Sequence, residues 1–299
     1  MSGKRCGVVA IIGEPNAGKS TLINKLVGGK VSIVTPKVQT TRFNIRGVCA
    51  YGDSQLIFVD TPGIFNAEKA FEKAMVNAAW AGIGDADCVL LLLDAKLGLK
   101  AGTKALLEKL KKHCKKPVCL ALNKVDTIDK PALFELAQLC NALMPFDRIF
   151  MISALKGDGV EDVKHHLAAI MPEGPWLYPE DQMSDISMRL LAAEVTREKI
   201  FLKLEQELPY SIFVETEAWE ETELAIKISQ VITVQRDGQK KIMIGDKGSM
   251  IKNVGIMARK ELEFMTGKKI HLALFVKVRA GWKDDSENFR LLGLEYIKG

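Results

Sequence analysis

The chain has 299 residues, 47% of them hydrophobic and 26% charged, which is ordinary for a globular protein and enough to bury more than one core. A formal net charge of +5 is mild, so a basic surface for an anionic partner has to come from clustering rather than composition. Cys6, Cys49, Cys88, Cys114, Cys119 and Cys140 form no CxxC pair or regular framework, which argues against a disulfide scaffold and predicts buried free thiols in a reducing compartment.

The apolar run CVLLLLDA stops at Asp94, far short of the ~20 residues of a membrane-spanning helix, and predicts a buried strand. The start, MSGKRCGVVAIIGEPN, has basic residues before an apolar run but no small-residue cleavage pattern, and EYIKG at the other end carries no prenylation cysteine. A cytoplasmic protein is expected.

In chain order, GVVAII, QLIFVD, CVLLLLD, PVCLALN and RIFMIS are too apolar for strands with one wet face and predict buried parallel strands. KSTLINKLVG, AEKAFEKAMVNAAWAGI, KAGTKALLEKLKKH, PALFELAQLCNALM and GVEDVKHHLAAIM read as helices between them. The alternation predicts a doubly wound α/β unit over residues 1–172, with ligands at the carboxyl ends of the strands. NIRGVCAYGDSQLIFVD breaks the rhythm, since Gly52 and Asp53 turn one antiparallel edge pair. The proline-rich stretch MPEGPWLYPEDQMSD reads as a linker, placed at 173–185. From 186 to 299 the order becomes helix (ISMRLLAAEVTREKIFLKLEQE), two strands (YSIFVETEAWE, ELAIKISQVITVQRD), helix (GSMIKNVGIMARKELEFMTG), strand (IHLALFVKVRA) and a short final helix, a separate α+β unit.

The chemistry begins at GEPNAGKS, whose Gly13-x-x-x-x-Gly18-Lys19-Ser20 spacing between strand and helix is that of a P-loop. Gly13, Glu14, Pro15, Asn16, Ala17 and Gly18 turn their backbone onto phosphate oxygens, and the helix start at Lys19, Ser20 and Thr21 adds its dipole. Lys19 reaches the β- and γ-phosphates, and Ser20 ligates Mg²⁺. In NKVD, Asn123, Lys124 and Asp126 follow a buried strand on the same rim. Asp126 accepts from the N1–H and exocyclic amine of guanine; adenine lacks that donor pair and would leave a buried carboxylate unpaired. The nucleotide is therefore expected to be GTP or GDP.

DTPG supplies Asp60, Thr61, Pro62 and Gly63, with Asp60 placed to hold the Mg²⁺ shell and the Gly63 amide to sense the γ-phosphate. SALKG supplies Ser153, Ala154 and Leu155, the Ala154 N–H being offered to guanine O6. Between P-loop and DTPG, VSIVTPKVQTTRFNIRG is polar and lacks helical period. Thr40 and Thr41 are both candidates to fold onto Mg²⁺ while a γ-phosphate is present, and Thr41, beside Arg42, is the preferred one.

In this order and spacing the motifs resemble those of the TRAFAC GTPases. The wording PNAGKSTLIN, VSIVTPKVQTTR and DTPGI, followed by the second half described above, is similar to the Era family of bacterial GTPases over nearly the whole chain. The resemblance implies an α/β G domain at 1–172 that hydrolyses GTP, and a type II KH domain at 186–299 that binds the 3′ end of 16S ribosomal RNA during maturation of the 30S subunit. For Asn16 it implies a K⁺ ion beside the phosphates, acting much as an arginine finger would. It also implies weak peripheral contact with the inner membrane.

The KH reading has its own chemistry. In IGDKG, the residues Gly245, Asp246, Lys247 and Gly248 stand between an expected strand and a helix, as in a GXXG loop that clamps nucleotide backbone. Lys252, Arg259, Lys260, Lys268, Lys269, Lys277, Arg279 and Lys283 surround it with few acidic residues interspersed. Ile242, Ile244, Ile251 and the strand HLALFVKV are candidates for lining the groove and serve equally as core. Trp282 is expected to pack rather than to stack on a base.

The expected reaction is in-line attack of water on the γ-phosphate, with Lys19, Asn16, Thr41 and Gly63 as the catalytic set. Where a Ras-like enzyme places glutamine after DTPG, this chain has Ile64, which cannot orient water, so unaided turnover is expected to be slow. A structural RNA-binding module with a non-catalytic nucleotide site is the alternative, opposed by the intact Lys19, Ser20, Asp60 and Asp126. A membrane-signalling GTPase is a third reading, and its lipid motif is missing.

Overall fold

The computed structural model describes residues 3–65, 67–205 and 208–296; the ends of EYIKG and of the expected helix running to LEQE lie outside them. The chain divides into two compact units. One holds the chain up to Ser32, Thr41–Asp185 and the residues from Phe289 onward; the other holds Ile33–Thr40 and Ile186–Asn288. The division differs from the single cut expected at 173–185, because one short piece from each side belongs with the other unit.

In the first unit β1 (Arg5–Gly13), β2 (Ile45–Tyr51), β3 (Ser54–Asp60), β4 (Cys88–Asp94), β5 (Val118–Asn123) and β6 (Arg148–Ile152) form one sheet of order β2-β3-β1-β4-β5-β6. All neighbours are parallel except β2 and β3, the expected antiparallel edge pair. Helices α1 (Lys19–Val27), α2 (Ala70–Asp85), α3 (Ala101–His113), α4 (Lys130–Leu143) and α5 (Val160–Ile170) cover both faces. Alternate strand residues sort between them. Val9, Ile11, Leu90 and Leu92 pack with Leu22 of α1 and Leu167 of α5, whereas Ala10, Ile12, Leu91 and Leu93 pack with Ile83, Leu107 and Leu136 of α2, α3 and α4. Both faces being dry explains why these strands read as unbroken apolar runs. All the cysteines are free, with Cys49 and Cys114 half-buried and the others buried.

Residues 173–185 contain no helix or strand, but they are a strap rather than a loose tether. Met183 O accepts the N–H of Val48 on edge strand β2 at 2.8 Å. The buried Gln55 accepts from the N–H groups of Leu177 (2.8 Å) and Tyr178 (3.0 Å) and donates to Tyr178 O (2.7 Å). Edge strand β2 supplies a backbone hydrogen bond through Val48, and the buried Gln55 side chain of β3 supplies the others.

The second unit contains α6 (Met188–Lys203), β7 (Phe213–Glu221), β8 (Ala225–Val234), α7 (Asp237–Ile244), α8 (Ser249–Thr266) and β9 (Lys269–Val278), with α9 (Ser286–Leu291) straddling its end. The sheet has order β7-β8-β9, antiparallel then parallel. Ala193, Phe201, Val214, Ile232, Met243 and Val254 form one core cluster, and Val195, Ile228, Ala258, Leu262 and Ile270 another. Helix α7 corrects the expected layout, since GDKG lies between two helices and not between strand and helix. Its eight residues DGQKKIMI bury only Gln239 and Met243, too few for a periodic signal. Trp282 is fully buried, stacked on Phe213 with ring centroids 5.6 Å apart, and donates to Ser211 O at 3.0 Å. Among the described residues no helix is long and apolar enough to cross a membrane.

Candidate nucleotide site and nucleic-acid groove

Strand β1 ends at Gly13 and helix α1 starts at Lys19, so the loop between them lies at the carboxyl rim of the sheet. Gly18 has φ 99°, and a Cβ there would sit 2.3 Å from Asn123 Nδ2, so both conformation and space demand glycine. The start of α1 has no side-chain cap and no acidic residue in its first turn, which leaves its dipole and N–H groups for an anion. Asn123 ties three motifs together, donating from Nδ2 to Ala17 O (2.8 Å) and accepting the Ala154 N–H on Oδ1 (2.9 Å). The Ala154 N–H expected to meet guanine O6 is thus engaged within the protein, and a base oxygen would have to share it. Leu155 is 78% exposed at the loop tip.

Lys124 holds a left-handed backbone at φ 65°, and its Nζ donates to Asn16 O (2.9 Å) and Asp94 Oδ2 (2.6 Å). Asp94 escaped the sequence reading, although an acid closing the apolar run CVLLLLD at the same rim was a usable signal. Asp126 lies at the surface with its side chain 17% exposed and Lys156 Nζ 3.7 Å away, so its burial against a base is not built in beforehand. The Ser153 hydroxyl, its own backbone N–H and Lys156 hold the carboxyl below its usual range, which keeps it an acceptor.

Lys19 is buried, and its Nζ donates to Gly13 O (3.2 Å) and Glu14 O (3.1 Å). Burial pushes the ammonium down to about 8 against the pull of Asp60 and Glu14. Asp60 is fully buried, and its Oδ2 accepts from Ser32 Oγ (2.7 Å), Ser20 Oγ (2.9 Å) and Thr41 Oγ1 (3.2 Å). The Ser20 and Thr41 hydroxyls are 2.9 Å apart. Burial raises the Asp60 carboxyl, opposed by these hydroxyls and Lys19. Among the described residues its Oδ1 is buried with no hydrogen-bond partner, an orphan that a cation would satisfy. Two hydroxyls and a carboxylate are hard oxygen donors, so the residues fit Mg²⁺. Ser32 was not foreseen, and nothing in its polar surroundings marks it out.

Thr40 is directed elsewhere, its Oγ1 donating to Lys37 O (2.7 Å) and pairing with Thr35 Oγ1 (2.6 Å). Thr61 braces the site by donating to Ile11 O at 2.8 Å. Pro62 and Gly63 are buried, and a Cβ on Gly63 would lie 3.0 Å from Pro15 Cγ. Ile64 packs half-buried against the core and donates its N–H to Gly13 O at 3.3 Å. Asn16 is exposed, with the left-handed φ of 63° that asparagine tolerates.

In the second unit, Gly245 turns between α7 and α8 at φ 75°, and a Cβ there would meet Met250 Cβ at 2.6 Å. Asp246 and Lys247 are exposed, and Gly248 starts α8 in a left-handed conformation, again with no side-chain cap and no acid in the first turn. A groove of about 690 Å³ runs between α8 and β9, lined by Ile251, Lys252, Gly255, Arg259, Leu272 and Leu274, with Lys227 and Ser229 of β8. Lys260 is exposed but does not line it, and Ile242 is 56% exposed.

The expected basic surface needs correction. Lys268 pairs with Glu221 and Lys277 with Glu217, both at 2.8 Å, and Arg279 pairs with Asp285. Lys252 and Arg259 show no such ion pair among the described residues. Glu217 and Glu221, distant in sequence from their lysines, were invisible to a linear count.

Residues 8–124 match the family described as 50S ribosome-binding GTPase, and residues 207–283 match the KH domain family. The chain is 54% identical over 293 residues to the GTPase Era of Brucella suis biovar 1, covering 98% of this chain and 94% of that protein. It is 54% identical over 295 residues to the GTPase Era of Rhizobium meliloti, with the same coverage of 98% and 94%. At 37% identity and a TM-score of 0.92, 97% of the chain superposes on 99% of Era in complex with MgGDPNP and nucleotides 1506–1542 of 16S ribosomal RNA. A variant of Aquifex aeolicus Era bound to GDP·AlF4⁻ gives the same values, a TM-score of 0.92 at 37% identity. Motifs, fold and full-length relatives agree: this chain belongs to the Era family of GTPases and is a GTP hydrolase.

Proposed function

We propose that the protein is a GTP-gated RNA-binding factor that engages the 3′ region of 16S ribosomal RNA and serves maturation of the 30S subunit. The observation that carries this reading is the cluster at Asp60. Thr41, which completes it, comes from the polar segment between the P-loop and DTPG, so the cluster can exist in a complete and an incomplete form. The groove beside Gly245–Gly248 supplies the RNA side. The description matched by the first unit names the 50S particle, but the relative that spans both units is bound to 16S RNA, which favours the small subunit.

In this reading Lys19 leaves its carbonyl partners for the β- and γ-phosphates, and Ser20, Thr41 and Asp60 hold the metal. Mg²⁺, when bound, neutralises charge on the phosphates. Gly13 through Thr21 cradle the phosphates, Thr61, Pro62 and Gly63 report the γ-phosphate, and Asn123, Lys124, Asp126, Ser153, Ala154 and Leu155 surround guanine. With Ile64 packed into the core, no side chain at that position orients water, so unaided turnover is slow. Asn16 offers a side-chain oxygen for K⁺. Gly245 to Gly248, Lys252, Arg259 and Lys260 contact RNA backbone, and the same basic residues give weak peripheral contact with anionic lipid from the cytoplasm.

The test is affinity for a 16S 3′-end oligonucleotide at fixed salt, with GDP and with a non-hydrolysable GTP analogue. Tighter binding with the analogue is expected, with a matching gain in analogue affinity when RNA is present. Equal affinities would remove the gate.

A further inference from the structure

Cys88, Cys119, Asp147 and His166 lie outside the nucleotide motifs, yet they meet at one place in the first unit. Among the described residues, Cys119, Asp147 and His166 are the one group of His, Cys and carboxylate side chains whose ligand atoms all lie within 4.8 Å of one another. Cys119 stands near the amino end of β5 and Asp147 just before β6, while His166 belongs to α5. Asn123, which ties the nucleotide motifs together, closes the other end of β5, about 13 Å from Cys119 at the rise of a strand. The cluster is therefore separate from the nucleotide rim.

Packing sets the donors. Cys88 and Cys119 share one core cluster with Phe150, Val163 and Leu167, on the face of the sheet that α5 covers. Phe150 meets the His166 ring edge-on with centroids 5.6 Å apart, which restrains the imidazole. His166 Nε2 and Asp147 Oδ2 share a hydrogen bond at 2.8 Å, and the same Oδ2 lies 3.9 Å from Cys119 Sγ. Cys119 is fully buried whereas the Asp147 side chain is 42% exposed, so the thiol forms the floor of the cluster and the carboxyl its mouth. A hydrogen bond from Cys88 holds the Cys119 thiol below its ordinary range and raises Cys88 itself. Two anionic donors thus converge beside an imidazole, an arrangement that a cation relieves.

Sulfur, nitrogen and oxygen at these spacings suit Zn²⁺. Tetrahedral bonds from that ion to thiolate, imidazole and carboxylate set the donor atoms roughly 3.3–3.6 Å apart. The sulfur–oxygen gap has only to close slightly and the nitrogen–oxygen gap to open slightly. We infer that Cys119, Asp147 and His166 form a Zn²⁺ site at the amino end of the sheet, with the fourth position left to solvent and Cys88 as an outer hydrogen-bond donor to the Cys119 sulfur. Binding displaces the Cys119 thiol proton and the proton on His166 Nε2. The bound ion ties β5, the start of β6 and α5 together, and so stabilises the first unit by mass action.

The experiment titrates the full chain, saturated with GDP and Mg²⁺ so that the nucleotide site is taken, with Zn²⁺ and separately with Co²⁺. Co²⁺ bound to a thiolate gives a charge-transfer band in the near ultraviolet that oxygen ligands do not give. One equivalent per chain is expected, with the band displaced by Zn²⁺. Cys119→Ser is expected to remove the band, and both it and His166→Ala to weaken Zn²⁺ by more than about a hundredfold, beyond the cost of an outer-shell change. Cys88→Ala keeps the band and weakens Zn²⁺ about tenfold, and Cys49→Ser, at a half-buried thiol on edge strand β2, changes neither. No band at one equivalent, a band that survives Cys119→Ser, or an unchanged Zn²⁺ affinity in His166→Ala would overturn the inference. Should Cys119→Ser not fold, Asp147→Ala at the surface decides: a loss of Zn²⁺ affinity of tenfold or more upholds the site, and a smaller one overturns it.

Discussion

The P-loop and the GDKG loop both set glycines at a helix start whose N–H groups are left open to an anion. Both α1 and α8 begin after a left-handed glycine, Gly18 at φ 99° and Gly248 at φ 79°, and neither carries a side-chain cap or a first-turn acid. They differ in what stands behind the loop. The first is backed by buried groups, Lys19, Asp60 and Asn123, each hydrogen-bonded to other motifs. The second opens on a groove whose cations, Lys252 and Arg259, are exposed. Burial fixes one ligand in one geometry, because each displaced partner costs a desolvated polar group. An open groove with exposed cations would tolerate a chain of many sequences and be tuned by salt.

The largest effect that would test this contrast is at Lys19. Lys19→Ala is expected to weaken GTP binding by more than about a hundredfold, since a charge-assisted contact in a dry site is lost, while RNA affinity without nucleotide stays at the parent value. Filter binding of both ligands checks it. On the other side, Gly245→Val should cost RNA affinity about tenfold or more, because the new side chain collides with Met250 and the position keeps a positive φ that valine resists, with basal GTP hydrolysis unchanged.

Smaller effects sharpen the electrostatic half. Arg259→Ala should lower the slope of log affinity against log salt by about 0.7, the value of one released counterion on a single strand. Lys277→Ala, already paired with Glu217, should leave the slope nearly unchanged. A surface insensitive to both changes would mean that the groove is not the RNA path.

The buried lysine makes a pH prediction of definite sign. Burial pushes the Lys19 ammonium down to about 8, and bound phosphates would favour its charged form. GTP affinity should therefore be full below about pH 8 and fall as pH rises through it, with proton uptake on binding in that window. Calorimetry in two buffers of different ionisation heat reads the proton directly. The smallest expected effect is at Asn16: hydrolysis faster in K⁺ than in Na⁺, the difference vanishing in Asn16→Ala.

Much of the nucleotide site was legible in the sequence because its parts are short and their order is set by strands and helices in alternation. Lys19, Ser20, Asp60 and Asn123 are where strand-end placement puts them. Ser32 and Asp94 were missed, since each is one polar residue whose role depends on what lies across the rim. In the second unit the GDKG turn was legible, but α7 was not, with too few buried residues to set a period. The apparent excess of free positive charge was also an illusion of reading along a line, as Glu217 and Glu221 of β7 pair across the intervening β8 with lysines on or beside β9.

The sequence by itself determined the class of fold, the GTPase family and the presence of a glycine turn at a helix start in the second unit, because those depend on local backbone demands and on side-chain chemistry at fixed spacing. Only the tertiary structure decided that Thr41 and not Thr40 joins Ser20 and Asp60. It alone showed that residues 173–185 are strapped down, and that Val34 and Thr40 bond to Glu198 and Arg197 of α6. Those outcomes turn on which of several equivalent polar groups finds a buried partner, a competition among residues far apart in the chain that no local pattern records.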